Sequence, residues 1–335
     1  MRSSPLYPSA PLPLAGGAGG GLESNTALDR HAPPLTPPAS GRGILLALAL
    51  MVSACTTVPQ ATVAPAPVAP ATVPPGMQFL YGSGEAAALD HQAYNTLVDA
   101  VRRRLASEKA DPKAMSDRTS AVLTPDATLD QPATLPCGDR PRAVVFDVDE
   151  TLLLNLGFEY DDATHPGAPY DEAHWLQWEQ AGVDRVAAVP GAIAAVNELR
   201  TMGVTVVFNT NRSAANAAFT EAAIAHAGLG PAKHGETLWL KGDLGSGSGK
   251  DSRRQAIAAR YCVVAMGGDQ LGDFSDLFTG TPQQRRAAVS SPAIHGMWGR
   301  YWFVLPNPVY GTALKGGLDD VFPADKRWTP TAGDK

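Results

Sequence analysis

The amino-acid sequence predicts an α/β fold, a parallel sheet flanked by helices, from three observations. Ala143-Val144-Val145-Phe146, Val204-Thr205-Val206-Val207-Phe208 and Cys262-Val263-Val264-Ala265-Met266 are apolar runs too short for helices and β-branched enough for buried strands. Helix-like stretches lie between them, Ile193 to Arg200 after Pro190-Gly191 and Asp251 to Arg260, as parallel crossover units require. Each strand is followed at once by polar residues: Asp147-Val148-Asp149-Glu150-Thr151, Asn209-Thr210-Asn211-Arg212 and Gly267-Gly268-Asp269-Gln270-Leu271-Gly272-Asp273. Open α/β sheets place ligands at the carboxyl ends of their strands, so these three clusters are expected to converge on one crevice.

The chain is 335 residues long, which suits one catalytic-sized domain with additional segments. Its 33 Gly and 29 Pro exclude an all-helical bundle or coiled coil. A net charge of −6, from 27 basic and 33 acidic side chains, excludes bulk attraction to a nucleic acid polymer, and a phosphate-bearing substrate must be met by local charge. Cys55, Cys137 and Cys262 are too few for a disulfide scaffold and lack zinc-site spacing.

Taken in chain order, the first segment (1–54) reads as an export signal. Ile44 to Val52 is an apolar run after Arg42 that ends in Ser53-Ala54-Cys55, with small residues before a cleavage point. The run is too short to span a bilayer. Met1 to Gly41 is longer than the leader of any ordinary signal, which points to a true start downstream of Met1. Removing Arg2, Arg30, Arg42, Glu23 and Asp29 with this segment leaves the remainder acidic. Residues 55–76 form a tether: the prolines of Thr56 to Pro75 favour an extended polyproline-type spacer reaching roughly 60 Å. The globular part is expected over 77–335, opening with an amphipathic helix from Glu85 to Leu105 that carries Leu89, Ala93, Leu97, Val101 and Leu105 at helical spacing.

The chemistry follows from the strand ends. Asp147 and Asp149 stand two apart at a strand terminus, which aims both carboxylates to one side unless the chain turns sharply. With Asp269 and Asp273 they make an all-oxygen set suited to Mg²⁺, which accepts a substrate phosphate oxygen into its octahedron. Asp147 is placed to attack phosphorus as a nucleophile, and Asp149 to protonate the leaving alkoxide and then activate water. Thr210, the Asn211 backbone and a lysine are candidates for holding the transferring phosphoryl group.

The segments DVDETLLLN (from Asp147), Thr210-Asn211-Arg212, Lys250 and Gly267 to Phe274 resemble, in order, the four motifs of the haloacid dehalogenase superfamily. Within it, DVDETLLLN and GGDQLGDF are similar to the signatures of the class C acid phosphatases, bacterial lipoproteins that hydrolyse 5′-nucleotides and other phosphomonoesters. Val52-Ser53-Ala54-Cys55 resembles the lipobox of such proteins, with Cys55 the lipidated residue. The resemblance spans about Met77 to Phe322 and implies a Rossmann-like parallel sheet with a small α-helical cap near 155–190.

It further implies Asp147 as nucleophile, Asp149 as acid/base, Thr210 as phosphate ligand and Lys250 as charge neutraliser. Mg²⁺ is implied on Asp147, the Asp149 carbonyl and Asp269, supported by Asp273. A glycine-serine insertion from Asp243 to Gly249 keeps Lys241 as the alternative lysine. Asn211, Arg212, Trp175 and Tyr310 are the candidate substrate-binding residues. Each has a plainer alternative: a turn and cap for Asn211, structural support for Arg212, core packing for Trp175 and Trp178, loop packing for Tyr310. Cys137 and Cys262 precede strands that the superfamily fold sets side by side, which leaves two readings open: a disulfide, as an exported protein permits, or two unpaired thiols with at least one buried.

The expectation is a Mg²⁺-dependent phosphomonoesterase, a nucleoside 5′-monophosphate its substrate, lipid-anchored in the bacterial cell envelope at the outer membrane. Sugar or aryl phosphates are the alternative substrates, and a non-catalytic surface-binding lipoprotein is the alternative from another class.

Overall fold

The computed structural model describes residues 72–111 and 119–330. The predicted export signal, Cys55 and nearly all of the tether lie outside the described residues. Two helices open the described chain, α1 (Pro75–Gly82) and α2 (Gly84–Ala110). Helix α1 starts two residues before the expected domain boundary, because a proline fits the first turn of a helix, where its missing N–H has no intrahelical partner to lose. The Ser83 side chain caps α2 by accepting from the Ala86 N–H at 3.1 Å. Helix α2 also runs past Leu105, its end supported by the Arg104–Glu108 pair one turn apart. Leu97 and Val101 are buried as expected, whereas Leu89 is exposed.

A hairpin follows, β1 (Thr119–Leu123) and β2 (Thr134–Pro136), then β3 (Arg142–Phe146). Two-residue strands β4 (Leu153–Leu154) and β5 (Ala187–Ala188) pair antiparallel and bracket two cap helices, α3 (Leu156–Thr164) and α4 (Glu172–Ala181). The remaining core alternates α5 (Ala192–Thr201), β6 (Thr205–Ser213), α6 (Ala217–His226), β7 (Leu238–Lys241), α7 (Asp251–Arg260) and β8 (Cys262–Gly268). The chain closes with α8 (Pro282–Val289), α9 (Pro292–His295), β9 (Trp302–Val304) and α10 (Leu318–Val321).

The main sheet has the order β7-β6-β3-β8-β9, with every pairing parallel. It is the expected α/β architecture, and β7 and β9 add the two outer strands. Helices cover both faces. Val144, Phe146, Val206 and Phe208 face a core shared with α2 and α5, while Ala143, Val145, Val207 and Val263 face a second core with Ile257 of α7 and Trp302. Because β3 is central, with β6 on one side and β8 on the other, the chain reverses direction of winding at β3, and a crevice opens at the carboxyl ends of these three strands.

Two of these strands run longer than their apolar runs suggest. Strand β6 continues through Thr210, Asn211 and Arg212, so these residues belong to the strand rather than to a turn beyond it. At the opposite end of the sheet, Cys137 and Cys262 are disulfide-bonded with Cα atoms 4.7 Å apart, and Arg104 Nη2 lies 3.5 and 3.6 Å from the two sulfurs. Among the described residues no helix is long and apolar enough to cross a membrane.

Candidate active site

The first motif sits where β3 ends. Asp147 N–H still donates to the Gly267 carbonyl of β8 at 3.0 Å, so the carboxylate is delivered by the sheet itself. The chain then turns sharply: Leu152 and Leu153 N–H both donate to the Val148 carbonyl, at 2.8 and 2.9 Å, and Glu150 takes the left-handed backbone region at φ 52°. Strand alternation aims Asp147 and Asp149 to one side, but this turn sends them to different partners within the same crevice.

Asp147 joins an ion cluster. Lys250 Nζ donates to Asp147 Oδ1 and, at 2.7 Å, to Asp273 Oδ1. Lys250 is buried at the N-terminus of α7, where the Lys250 and Asp251 N–H groups both donate to the Asp276 carboxylate at 2.9 Å. The alternative lysine, Lys241, pairs instead with Glu172 of the cap at 2.7 Å. Asp269 accepts from Thr151 Oγ1 at 2.8 Å, Asn307 Nδ2 at 2.8 Å and Gln270 Nε2 at 3.0 Å. Asp273 Oδ2 accepts from the Gln270 N–H at 2.8 Å. A side chain at Gly268 would place its Cβ 2.3 Å from the Asp273 Cβ, so only glycine lets the two segments of this loop approach.

One carboxylate oxygen from each of Asp147, Asp269 and Asp273 lies within 4.8 Å of the others. Burial pushes the Asp147 carboxyl well above the ordinary range, Lys250 opposes this, and Asp273, Asp269 and Asp149 add to it. Burial likewise raises Asp269 to about 6. Burial alone would lower the Lys250 ammonium, but Asp147 and Asp273 outweigh it and the net shift is upward. Three buried carboxylates thus face one ammonium, an excess of negative charge that a small divalent cation would balance. The donor set is all oxygen and fits a hard ion. Asp149, expected to reach the ion through its carbonyl, adds no side-chain oxygen to this group.

Asp149 is held on the other wall. Arg212 reaches its Oδ1 through Nε at 2.8 Å and Nη2 at 2.7 Å, Asn155 Nδ2 donates to the same oxygen at 3.0 Å, and Thr210 Oγ1 donates to Oδ2 at 3.2 Å. The Asn155 carbonyl oxygen accepts from Arg212 Nη2 at 2.8 Å and from Trp178 Nε1 at 3.1 Å, which ties the cap to the acid.

Arg212, expected among the substrate-binding residues, is only 1% exposed and is committed to Asp149 and Asn155; it positions the acid rather than meeting ligand. Trp175, another substrate-binding candidate, is half-buried in the cap. It packs edge-on to Phe158 with ring centroids 5.0 Å apart, donates to Glu179 Oε1 at 2.9 Å and lies 5.8 Å from the Arg212 guanidinium, as a prop of the cap. Asn211 is exposed at the crevice, its amide oxygen accepting from Arg253 Nη2 at 2.5 Å. The Tyr310 hydroxyl points inward to Glu150 Oε2 while 37% of the residue stays open to solvent.

Several site residues escaped notice in the sequence. Asn155 is the last residue of DVDETLLLN and Arg253 follows Lys250 closely, so both lay inside segments already singled out. Asn307 stands three residues before Tyr310, in the stretch that singled that residue out, whereas Asp276 carried no local signal beyond being a polar residue near a motif.

The arrangement thus offers one carboxylate inside an ion cluster, a second held apart by hydrogen-bond donors, and a buried ammonium. The family model "HAD superfamily, subfamily IIIB (Acid phosphatase)" matches residues 85–313. Acid phosphatase 1 of Solanum lycopersicum is 28% identical over 184 residues, which cover 52% of this chain and 60% of the relative; the chain therefore spans about 60% of that relative's length. Two structures of the class C acid phosphatase from Bacillus anthracis, one with tungstate bound, align with TM-scores of 0.56 at 23% identity. Each alignment covers 71% of this chain and 84% of theirs, and shows a shared fold. Phosphatases of this superfamily generally use a divalent metal, with which the acidic cluster is compatible.

Proposed function

The chain belongs to the acid phosphatases of the haloacid dehalogenase superfamily, subfamily IIIB, and from that premise we propose that it is a phosphomonoesterase working through an aspartyl-phosphate. The observation that carries this reading is the separation of Asp147 and Asp149. Two carboxylates two residues apart would do the same chemistry if they shared surroundings; here one belongs to an ion cluster and the other to a hydrogen-bonded frame.

Asp147 attacks phosphorus with one carboxylate oxygen, forming the new P–O bond as the bond to the leaving oxygen breaks. Lys250, held between Asp147 and Asp273, favours the ionised form of the nucleophile and places a positive charge beside the transferring group. Asp149 passes a proton to the departing alkoxide, then takes one from the water that attacks the same phosphorus, and the P–O bond to Asp147 breaks to regenerate the acid. Arg212, Asn155 and Thr210 hold Asp149 in place through both steps. Asp147, Asp269 and Asp273 would hold Mg²⁺, which supplies positive charge for the phosphate oxygens when bound.

The substrate we infer is a nucleoside 5′-monophosphate. The half-open Tyr310 ring beside the crevice offers a face for a base, and tungstate, a tetrahedral oxyanion, is bound by the Bacillus anthracis relative. The location we infer is the cell envelope, through lipid on Cys55, supported by the Val52-Ser53-Ala54-Cys55 segment and by a disulfide of the kind that oxidising compartments permit.

Phosphate release from nucleotide, sugar and aryl phosphates, with and without Mg²⁺ and with Asp147→Asn as control, tests the activity and the substrate together. Absence of release by the wild type would favour the binding lipoprotein. Incorporation of labelled fatty acid, lost on Cys55→Ser, tests the anchor.

A further inference from the structure

Glu150 is buried, lies next to Asp149 and takes no bond or proton in the chemistry above, meeting it through Asn155, which also holds Asp149. Among the described residues it pairs with no lysine or arginine; its oxygens are met by neutral donors. Oε1 accepts from the Tyr81 hydroxyl at 3.2 Å and from the Asn155 N–H at 2.8 Å, and Oε2 accepts from the Tyr310 hydroxyl and from Asn155 Nδ2 at 3.1 Å. These donors come from three places: helix α1, the start of the cap, and the loop after β9. A non-glycine residue at positive φ, placed where it gathers three separate segments, is a sign of local strain kept for a purpose.

The loop that carries Tyr310 is fastened at other points as well. Asn307 Oδ1 accepts from the Val309 and Tyr310 N–H groups at 3.0 and 3.3 Å, while its Nδ2 donates to Asp269. Helix α1 backs directly onto it, since a Cβ at Gly76 would lie 2.0 Å from the Pro308 carbonyl oxygen. Helix α1 precedes the residues that the family model matches, so Tyr81 reaches the site from outside that segment.

Resting on the phosphatase reading, we propose that Tyr81, Glu150 and Tyr310 form a carboxylate–phenol latch in which Glu150 is a positioning residue. The latch holds the Tyr310 ring as a rigid wall for leaving groups that carry a flat ring. With the hydroxyl anchored, the position of the ring is set before substrate arrives, and binding need not order it. A leaving group without a ring gains nothing from that wall, so the latch acts on selectivity rather than on the chemical step.

The test uses the full chain with Tyr310→Phe, Tyr81→Phe and Glu150→Gln, assayed on a nucleoside 5′-monophosphate, p-nitrophenyl phosphate and glycerol 3-phosphate. Tyr310→Phe keeps the ring and removes only the anchor. It is expected to raise KM for the two aromatic substrates about tenfold, the scale of one lost hydrogen bond to a charged group, with kcat within about twofold. KM for glycerol 3-phosphate should stay within about twofold. Tyr81→Phe should act in the same direction with smaller effect. Amide exchange across residues 307–313 should rise in all three variants. Equal KM changes on all substrates, a loss of kcat at constant KM, or unchanged exchange would overturn the latch. Should Glu150→Gln fail to fold, the two phenylalanine variants carry the test. A wild type that releases no phosphate from any substrate refutes the phosphatase reading instead, and the exchange measurement still judges the latch.

Discussion

Replacing Arg212 separates two roles that the sequence leaves open for it, binding substrate and holding Asp149. Its side chain is 1% exposed and that of Asp149 14% exposed, and the pair is joined through both Nε and Nη2. Among the described residues, Arg212→Met leaves Asp149 with Asn155 Nδ2 and Thr210 Oγ1 as side-chain donors. Breaking a buried ion pair by removing one partner costs about 3–5 kcal/mol, and the partial exposure of Asp149 points to the lower end, about 3 kcal/mol. Asn155 also loses the donor to its carbonyl oxygen and keeps Trp178 Nε1.

For catalysis, an Asp149 free to rotate forfeits the positioned proton, and a loss of about 100-fold in kcat is expected, which corresponds to about 2.7 kcal/mol. Arg212→Lys restores charge without the two-pronged geometry, so it should recover most of the stability but remain about tenfold down in kcat. Urea denaturation and steady-state kinetics on one phosphomonoester, with Mg²⁺ saturating, give both quantities. A variant whose kcat stays at the wild-type value while KM rises would refute this reasoning and return Arg212 to the substrate.

Three further outcomes are expected. Chelation should abolish phosphate release and Mg²⁺ should restore it, with Asp273→Asn raising the Mg²⁺ concentration for half-maximal rate about tenfold or more; release that survives chelation would remove the metal from the proposal. Burial pushes the carboxyls of Glu150 to about 7 and Glu159 to about 8, so the folded metal-free chain holds protons that the unfolded chain releases near pH 4. Its stability is therefore expected to fall between about pH 5 and about pH 8, with a shallower fall in Glu159→Gln; a urea midpoint that rises with pH across that window would contradict this. The Cys137–Cys262 bond closes a long loop, and Cys262→Ser should cost about 2–5 kcal/mol; mass spectrometry of unreduced protein in which both cysteines alkylate would exclude the bond.

The strands were legible because burial on both faces demands continuous apolar runs, as in Val144 to Phe146, and the site was legible because its reacting groups follow those runs directly. Strands β7 and β9 were harder to read, being only four and three residues long. The partners of the acids were legible only in part: Lys250, Thr210 and Arg212 stand in the motifs, and others lie outside them. Asp269 depends on Asn307, which lies three residues before Tyr310, and Lys250 on Asp276, which nothing in the local pattern distinguishes from a surface polar residue.

What the sequence determined by itself was the order of chemical groups: carboxylate pair, hydroxyl, lysine, carboxylate pair, each at the end of a periodic element that sets its direction. What only the tertiary structure decided was the different partners of Asp147 and Asp149, the burial of Arg212 against Asp149, the packing of Trp175 in the cap, and the capture of Glu150 by two tyrosines. Direction along a strand is local and repeats every second residue. The choice of partner depends on which distant segments close in three dimensions, and a one-dimensional pattern carries no term for that.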